Sequence, residues 1–506
     1  MAPSAPQVSF TSNQVDEFSR ASHDRNPLHV CDAYARRTPW GERVVFGTLA
    51  ALACLARAGG RPDQRLNHLL LEFRAPVFGS VGYRLEIEEG PAKTQVGLRD
   101  GRRLLLSGTA RFTTGEPPPA RPRSRAGAPR DEPAALSLAH LHPGLTATGT
   151  WAPAWPHLDA LVSLLGGTGP LAEGDVAMLM FLSYLVGMEV PGRQALFSRL
   201  ALDLRGPVPT AEPFEFNAVV TATDERVGLA TLDVQVTSGA TQVASAGIRA
   251  FVRPEPVRPE PDRVRAVLPS SPCLEGRVGL VVGASRGFGA ALALALASQG
   301  ATVYASFNHG RAGAELLAMN AAAGPGRLLL AQGDATDPTW CAETRERLLA
   351  DCGRLDFLIC NAFPTPVPLA LHPASTDRVV DYAARGLRTV AEPLAGFIGQ
   401  LAATRGWAAV VSSSYVNTAP PEWPHYVAAK ASCEALLRAV VNQHRAVSGL
   451  IVRPPPLLTD LTNTPLARRA AVPPEPLAAA VVRRLSGAPA PGSTVLIDDT
   501  PTPLDG

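Results

Sequence analysis

The stretch Val278–Gly289, VGLVVGASRGFG, constrains the fold of this chain more than any other. Val278, Leu280, Val281 and Val282 form a short apolar run, the pattern of a strand buried on both faces. Gly283, Gly287 and Gly289 follow at G-x-x-x-G-x-G spacing. Glycines placed so let the backbone turn sharply and approach a diphosphate, whose charge then sits on free N–H groups at a helix N-terminus. The same spacing also serves plain strand–helix connections, so the stretch alone leaves both readings open.

The alternation continues downstream. After GAALALALASQG come ATVYASF, a helical stretch near 312–323, RLLLAQGD and LDFLICNA. A long helical stretch to Ala403, WAAVVSSS, the helix after Tyr426, SGLIVRPP and STVLIDD complete it. Strand alternating with helix predicts an α/β doubly wound parallel sheet over 273–506.

The remaining half of the 506 residues needs its own core or cores. Two proline-rich charged segments, 115–133 and 253–272, favour extended solvated backbone and read as linkers. They divide the chain into 1–114, 134–252 and 273–506. The arginines near 121–130 leave an acidic partner open beside plain solvation. A net charge of +2 gives no reason to expect nucleic acid or a lipid surface. Seven cysteines without a C-x-x-C pair predict a reducing, cytoplasmic compartment. The start MAPSAPQVSF lacks the basic and apolar regions of a secretory signal. The longest apolar run, 177–188, is too short to cross a bilayer and reads as a buried helix.

Residues 1–114 read as a helix over 13–22, a break at HDRNPLH, and a second helix from Phe46-Gly47. Then come strand-like HLLLEFRAPV, YRLEIEE, TQVGLRD and RRLLLSGTARF. One helix followed by antiparallel strands predicts an α+β unit, a sheet wrapped around a helix. Residues 134–252 repeat this grammar. Leu71–Val77 has a counterpart in Leu202–Val208, and Ser107–Phe112 in Ser245–Phe251. Two similar units side by side are expected, the second without the HDRNPLH loop. Gly187 in that second copy reads as a possible helix N-terminus.

Residues 275–500 resemble the short-chain dehydrogenases/reductases, closest to 3-oxoacyl-thioester reductases. The residues that carry the likeness are GASRGFG at 283–289, Asp334, Asn361-Ala362, Ser413 and Tyr426-x-x-x-Lys430. Tyr and Lys four apart on a helix share a face. A ketone accepting hydride gains negative charge on oxygen and needs a proton there. The resemblance implies that Tyr426 supplies it, its phenol pKa lowered by the Lys430 ammonium, while Ser413 holds the carbonyl oxygen. It also implies a dinucleotide site from Gly283, Ser285, Arg286, Gly287, Phe288, Gly289, Asn308, Asp334, Ala335, Asn361, Ala362, Tyr426, Lys430 and Pro454. Lys430 is expected at the ribose and Asp334 at the adenine. TVYASFNH ends without a carboxylate, and Arg286 and Arg311 lie near, which favours NADPH over NADH. Three departures stand out. Phe363 replaces the family glycine after Asn361-Ala362, Ala383 stands where a relay asparagine is usual, and Pro455 replaces a glycine. Thr459-Asp460 is expected to begin a mobile lid over the substrate. Pairing into a homodimer or homotetramer is a family expectation.

Residues 1–114 resemble the MaoC-like (R)-specific hydratases and dehydratases, which have the hotdog fold. The likeness rests on FSRASHDRNPLHVCDAYA at 18–35, VVFG at 44–47 and EFRAPV at 72–77. It implies a catalytic loop in which Asp24 and His29 share one site, Asn26 orients the loop, and the Gly47 N–H polarises a thioester carbonyl. Losing water from a 3-hydroxyacyl thioester needs a base for the C2 proton and an acid for the hydroxyl. Which residue does which is left open. His23 stands where the family usually has glycine. The other histidines form no metal-ligand pattern.

Taken together these resemblances imply a double hotdog joined to a Rossmann-type reductase. The leading expectation is a bifunctional 3-oxoacyl-thioester reductase and 3-hydroxyacyl-thioester dehydratase in polyketide or fatty-acid assembly. Its substrates would ride on an acyl carrier protein, or on CoA. The same residues run backwards would make an enoyl-CoA hydratase and 3-hydroxyacyl-CoA dehydrogenase. A third reading makes one half a non-catalytic acyl or carrier-protein binding module.

Overall fold

The computed structural model describes residues 6–59, 64–79, 81–114, 123–124, 129–255 and 257–498. Most of the arginine-bearing linker, at 115–122 and 125–128, lies outside them. The chain falls into two compact units, 1–255 with 464–466, and 256–463 with 467–506.

The first unit is one antiparallel sheet of ten strands. On one side of its midline lie, from the edge inward, Gln7–Val8, Tyr83–Glu89, Lys93–Asp100, Arg103–Thr114 and Gln64–Phe73. Ala195–Leu204, Thr241–Val252, Leu229–Ser238, Phe214–Asp224 and Thr146–Trp151 follow outward on the other. The order is mirrored about the seam between Gln64–Phe73 and Ala195–Leu204. Register bears out the duplication. Leu71 pairs with Leu200 and Leu69 with Leu202, the exchange a two-fold axis demands. Glu72 pairs with Ser107 in one half, and Asp203 with Ser245 in the other. This is a double hotdog.

The helices Gly47–Leu55 and Glu173–Tyr184 belong to one half each. Both are apolar nearly all round, so each lies buried on almost every side rather than on one stripe. The second runs into a π turn, Leu185–Glu189.

The segment 253–272 is more than a spacer. Arg253 is 5% exposed, with its guanidinium over the rings of Tyr34 and Trp40. Pro261–Val267 is a helix whose buried Val264 joins the core of the second unit. Proline tolerates the first turn of a helix, where its missing N–H has no partner to lose, so proline content did not exclude a helix here.

The second unit is a parallel sheet of seven strands. The order is Arg327–Gln332, Thr302–Phe307, Val278–Val282, Phe357–Cys360, Trp407–Val411, Ser448–Arg453 and Thr494–Asp498. Val278–Val282 lies between the second and fourth of these in chain order, where the winding reverses. Ligand crevices of open α/β sheets form there, beyond the carboxyl ends of the strands. Gly283, Asn361, Ser413 and Pro454 all stand at or just past such ends.

Candidate active sites

In the first unit the opening helix Ser12–Ser22 ends at His23, whose φ of 59° is left-handed. Glycine takes that conformation without a Cβ penalty, which explains the family preference noted above. His23→Gly is expected to leave stability unchanged or raise it by less than about 1 kcal/mol, because relief of strain is offset by a more flexible unfolded chain. Thermal melting of the variant checks this.

The turn at His23 throws Asp24 inward, to 1% exposure. Its backbone is held on both sides: the Ser19 hydroxyl donates to its carbonyl (2.7 Å), and its N–H donates to Ser22 Oγ (3.1 Å). Its carboxylate accepts from the Asn26 N–H at Oδ1 (3.0 Å) and from the Ser183 hydroxyl at Oδ2 (2.9 Å). Burial outweighs these donors and pushes the carboxyl up to about 7. Asn26 accepts from the Leu28 N–H, capping the short helix Pro27–Val30. Its amide donates to the carbonyls of Gly187 (3.2 Å) and Gly192 (3.1 Å). The loop is therefore tied to the other half of the duplication.

His29 stacks on Phe46, ring centroids 4.0 Å apart, and its Nδ1 lies 2.6 Å from the Val44 carbonyl. A carbonyl only accepts, so Nδ1 carries the hydrogen and Nε2 keeps its lone pair. Burial pushes the imidazole down to about 4, which leaves it neutral at physiological pH. Asp24, Asn26, His29 and Gly47 line one cavity of about 190 Å³. Gly47 opens its helix there, where the first N–H groups have no partner within the helix. The Phe73 ring lies against it, 2.8 Å from where a Cβ would stand.

Two residues of this site escaped the sequence reading. Ser183 is a lone hydroxyl in the otherwise apolar MLMFLSYL, and that isolation was its one signal. Gly187 is not at a helix N-terminus. It sits in the π turn at the far end of the helix, and a Cβ there would press on Asp24 (2.6 Å from Oδ2). The second half lacks a catalytic loop yet walls the Asp24 carboxylate. Since the Ser183 hydroxyl bond lowers the Asp24 pKa, Ser183→Ala is expected to move it further up. A pH series of dehydration by the variant would show its Asp24-controlled limb displaced to higher pH.

In the second unit Gly283 has φ 82° and Gly287 φ 55°, both left-handed. An added Cβ at Gly289 would collide with the Gly283 carbonyl and stand 2.5 Å from Asn361 Nδ2. Asn361 Nδ2 donates to that carbonyl (2.8 Å), and Ala362 packs against Gly283. Helix Gly287–Ser298 starts from this turn, with Phe288 buried and Ser285 and Arg286 half-buried. Asn308 is exposed, and Ala335 is buried. Asp334 Oδ1 accepts from the Thr336 N–H and hydroxyl, and the Pro454 carbonyl accepts from the Ser414 N–H. The two arginines taken as cofactor cues meet carboxylates, Arg286 with Asp460 (3.3 Å) and Arg311 with Glu315 (2.8 Å). Thr459 lies beside Gly287, so the segment 459–460 begins over the glycine turn.

The Ser413 hydroxyl lies close enough to the Tyr426 phenol to lower its pKa. One expectation fails here: the Tyr426 phenol is not held down by Lys430. Burial pushes it up to about 12, the Ser413 hydroxyl lowering it only in part. Lys430 is itself buried, which pulls its ammonium down to about 8. It donates to the Val411 carbonyl (2.8 Å) and sits 3.6 Å above the Phe363 ring, against 5.6 Å for the Tyr426 ring. Phe363 is the residue that departs from the family glycine. Its ring is seated against Gly386, where a Cβ would come within 2.5 Å.

Residues 277–469 match the family model of short chain dehydrogenases. A 3-oxoacyl-[acyl-carrier-protein] reductase of Escherichia coli is 38% identical over 91 residues, 17% of this chain and 34% of that one. A 3-hydroxybutyryl-CoA dehydratase of Methylorubrum extorquens is 37% identical over 71 residues, 13% of this chain and 45% of that one. The solved structure of a MaoC-like dehydratase covers 49% of this chain and 95% of its own, at 14% identity and a TM-score of 0.39. The chain spans about a third of the length of the first curated relatives it matches. With the double hotdog and the parallel sheet already traced, the chain joins a double hotdog, similar over 71 residues to a 3-hydroxybutyryl-CoA dehydratase, to a parallel-sheet unit that matches the short chain dehydrogenase family over residues 277–469.

Proposed function

We propose that the chain reduces 3-oxoacyl thioesters and dehydrates 3-hydroxyacyl thioesters to trans-2-enoyl thioesters, in fatty-acid or polyketide assembly. The observation that carries the reading is the cavity shared by the Asp24 carboxyl, the His29 imidazole and the opening of the Gly47 helix. A thioester carbonyl at the Gly47 N–H brings C2 and C3 toward the pair. One of the pair takes the C2 proton while the other gives a proton to the C3 hydroxyl, which leaves as water. An Asp24 pKa near 7 suits either role at neutral pH.

The second unit fits a dinucleotide. Its glycine turn is too tight for any Cβ at Gly289, and the N–H groups opening the helix Gly287–Ser298 are placed for a diphosphate. Asp334 would meet the adenine and Lys430 the ribose, with Asn361 bracing the turn. NADPH, when bound, supplies hydride to C3. The chain's own part is to hold the carbonyl oxygen at Ser413 and deliver the Tyr426 proton to it. That the stretch TVYASFNH ends in Asn308-His309 without a carboxylate supports NADPH over NADH. A cytoplasmic location fits cysteines that are unpaired.

NADPH oxidation with 3-oxoacyl thioesters on both CoA and carrier protein, followed by mass analysis of products, tests the reading. Enoyl product with NADPH consumed supports it. No NADPH consumption with any 3-oxoacyl thioester removes the reductase assignment, and no dehydration of any 3-hydroxyacyl thioester removes the other.

A further inference from the structure

The cavity around Asp24 and His29 is small, and aromatic rings form part of its wall. Its volume is about 190 Å³, and it is partly open to solvent. An apolar cavity of roughly 150 Å³ takes up benzene, a molecule of about six carbons.

Two of the wall rings come from opposite halves of the duplication. Glu72 pairs with Arg199 across the seam, and the strand carrying Phe197 bulges just beyond, with Arg249 facing Arg199 but Ala250 facing Phe197. Their ring centroids lie 5.3 Å apart, with planes at 56°. Phe73 cannot retreat toward the helix, because its ring already touches Gly47. Leu105, Leu106 and Phe251 continue the apolar wall.

We infer that Phe73 and Phe197 together set the acyl length at this site and restrict it to short-chain 3-hydroxyacyl thioesters, about four to six carbons long. The inference rests on the dehydratase reading above. With the thioester carbonyl at Gly47, the Phe73 ring lies alongside the first carbons of the chain. Longer chains must displace a ring or leave methylenes in water, and each methylene left in water forfeits about a fourfold gain.

The test compares kcat/KM for (3R)-3-hydroxyacyl-CoA substrates from butyryl to dodecanoyl, in the full chain and in Phe73→Ala, Phe197→Ala and the milder Phe73→Leu and Phe197→Leu. Butyryl and hexanoyl substrates are expected to turn over, with decanoyl slower by about tenfold or more. The alanine variants are expected to recover decanoyl relative to butyryl by a similar factor, and the leucine variants by less. Thermal-shift titration with the unreactive saturated butyryl-, hexanoyl- and decanoyl-CoA gives a second readout independent of chemistry. Equal handling of butyryl and decanoyl by the parent overturns the inference, as does an unchanged length preference in all four variants. If no hydroxyacyl thioester of any length reacts, the dehydratase reading falls. The shift titration then still decides the length limit.

Discussion

Tyr426→Phe is expected to cut NADPH-dependent reduction of a 3-oxoacyl thioester by about 10²–10⁴-fold, the usual share of a positioned proton donor. The ring contacts that seat this side chain survive the change. Tyr426 meets Phe363 and Tyr415 edge to face, with centroids 5.8 and 6.2 Å away. Only the hydroxyl is lost. NADPH binding, followed by the cofactor's fluorescence, should therefore persist while turnover stops, and dehydration by the first unit should be untouched. The raised phenol pKa sharpens the expectation. At about 12 the hydroxyl stays protonated through neutral pH, ready to donate in the reductive direction. Turnover at the parent rate in the variant would remove Tyr426 from the reaction.

The second large effect is expected at Asp24. Asp24→Asn should lower dehydration by about 10²–10⁴-fold while reduction continues, so that the 3-hydroxy product accumulates. Stability should move the other way. The native carboxyl has a pKa of about 7 against 3.8 for the free group, so the folded state holds its proton over that window while the unfolded state has released it. Stability from this group is therefore lost as pH rises from about 4 to about 7, by roughly 4 kcal/mol in all. The asparagine variant escapes that loss. Its melting temperature is expected to exceed the parent's at about pH 8, with the gap closing toward about pH 4. A variant that is inactive and also less stable at alkaline pH would point to a structural role for Asp24 instead.

Local signals were the legible ones. Tyr426 and Lys430 lie about one helical turn apart and the loop from Asp24 to His29 is short, so pattern and chemistry coincide there. The duplication was legible because Leu71–Val77 and Leu202–Val208 carry similar residues, and the sheet register then follows from symmetry. Ser183 was not, because it meets Asp24 across 159 positions and nothing local marks a hydroxyl as a partner. The electrostatics at Lys430 were misread for a related reason. Four-residue spacing puts Lys and Tyr on one face, but burial and the Phe363 ring, brought in from another strand end, decide what the ammonium touches.

The walling of Asp24 by Ser183 and Gly187 has a consequence for the fate of the duplicated halves. The copy that lost its loop is no spare part. Deleting it would strip the acid of its hydroxyl donor and Asn26 of both carbonyl acceptors. It would also bare the ten-residue strand Gln64–Phe73 as a long open edge, a template for aggregation. Damage anywhere along that silent half should therefore surface as a defect in the chemistry of the other. The two copies now persist or fail as one heritable unit.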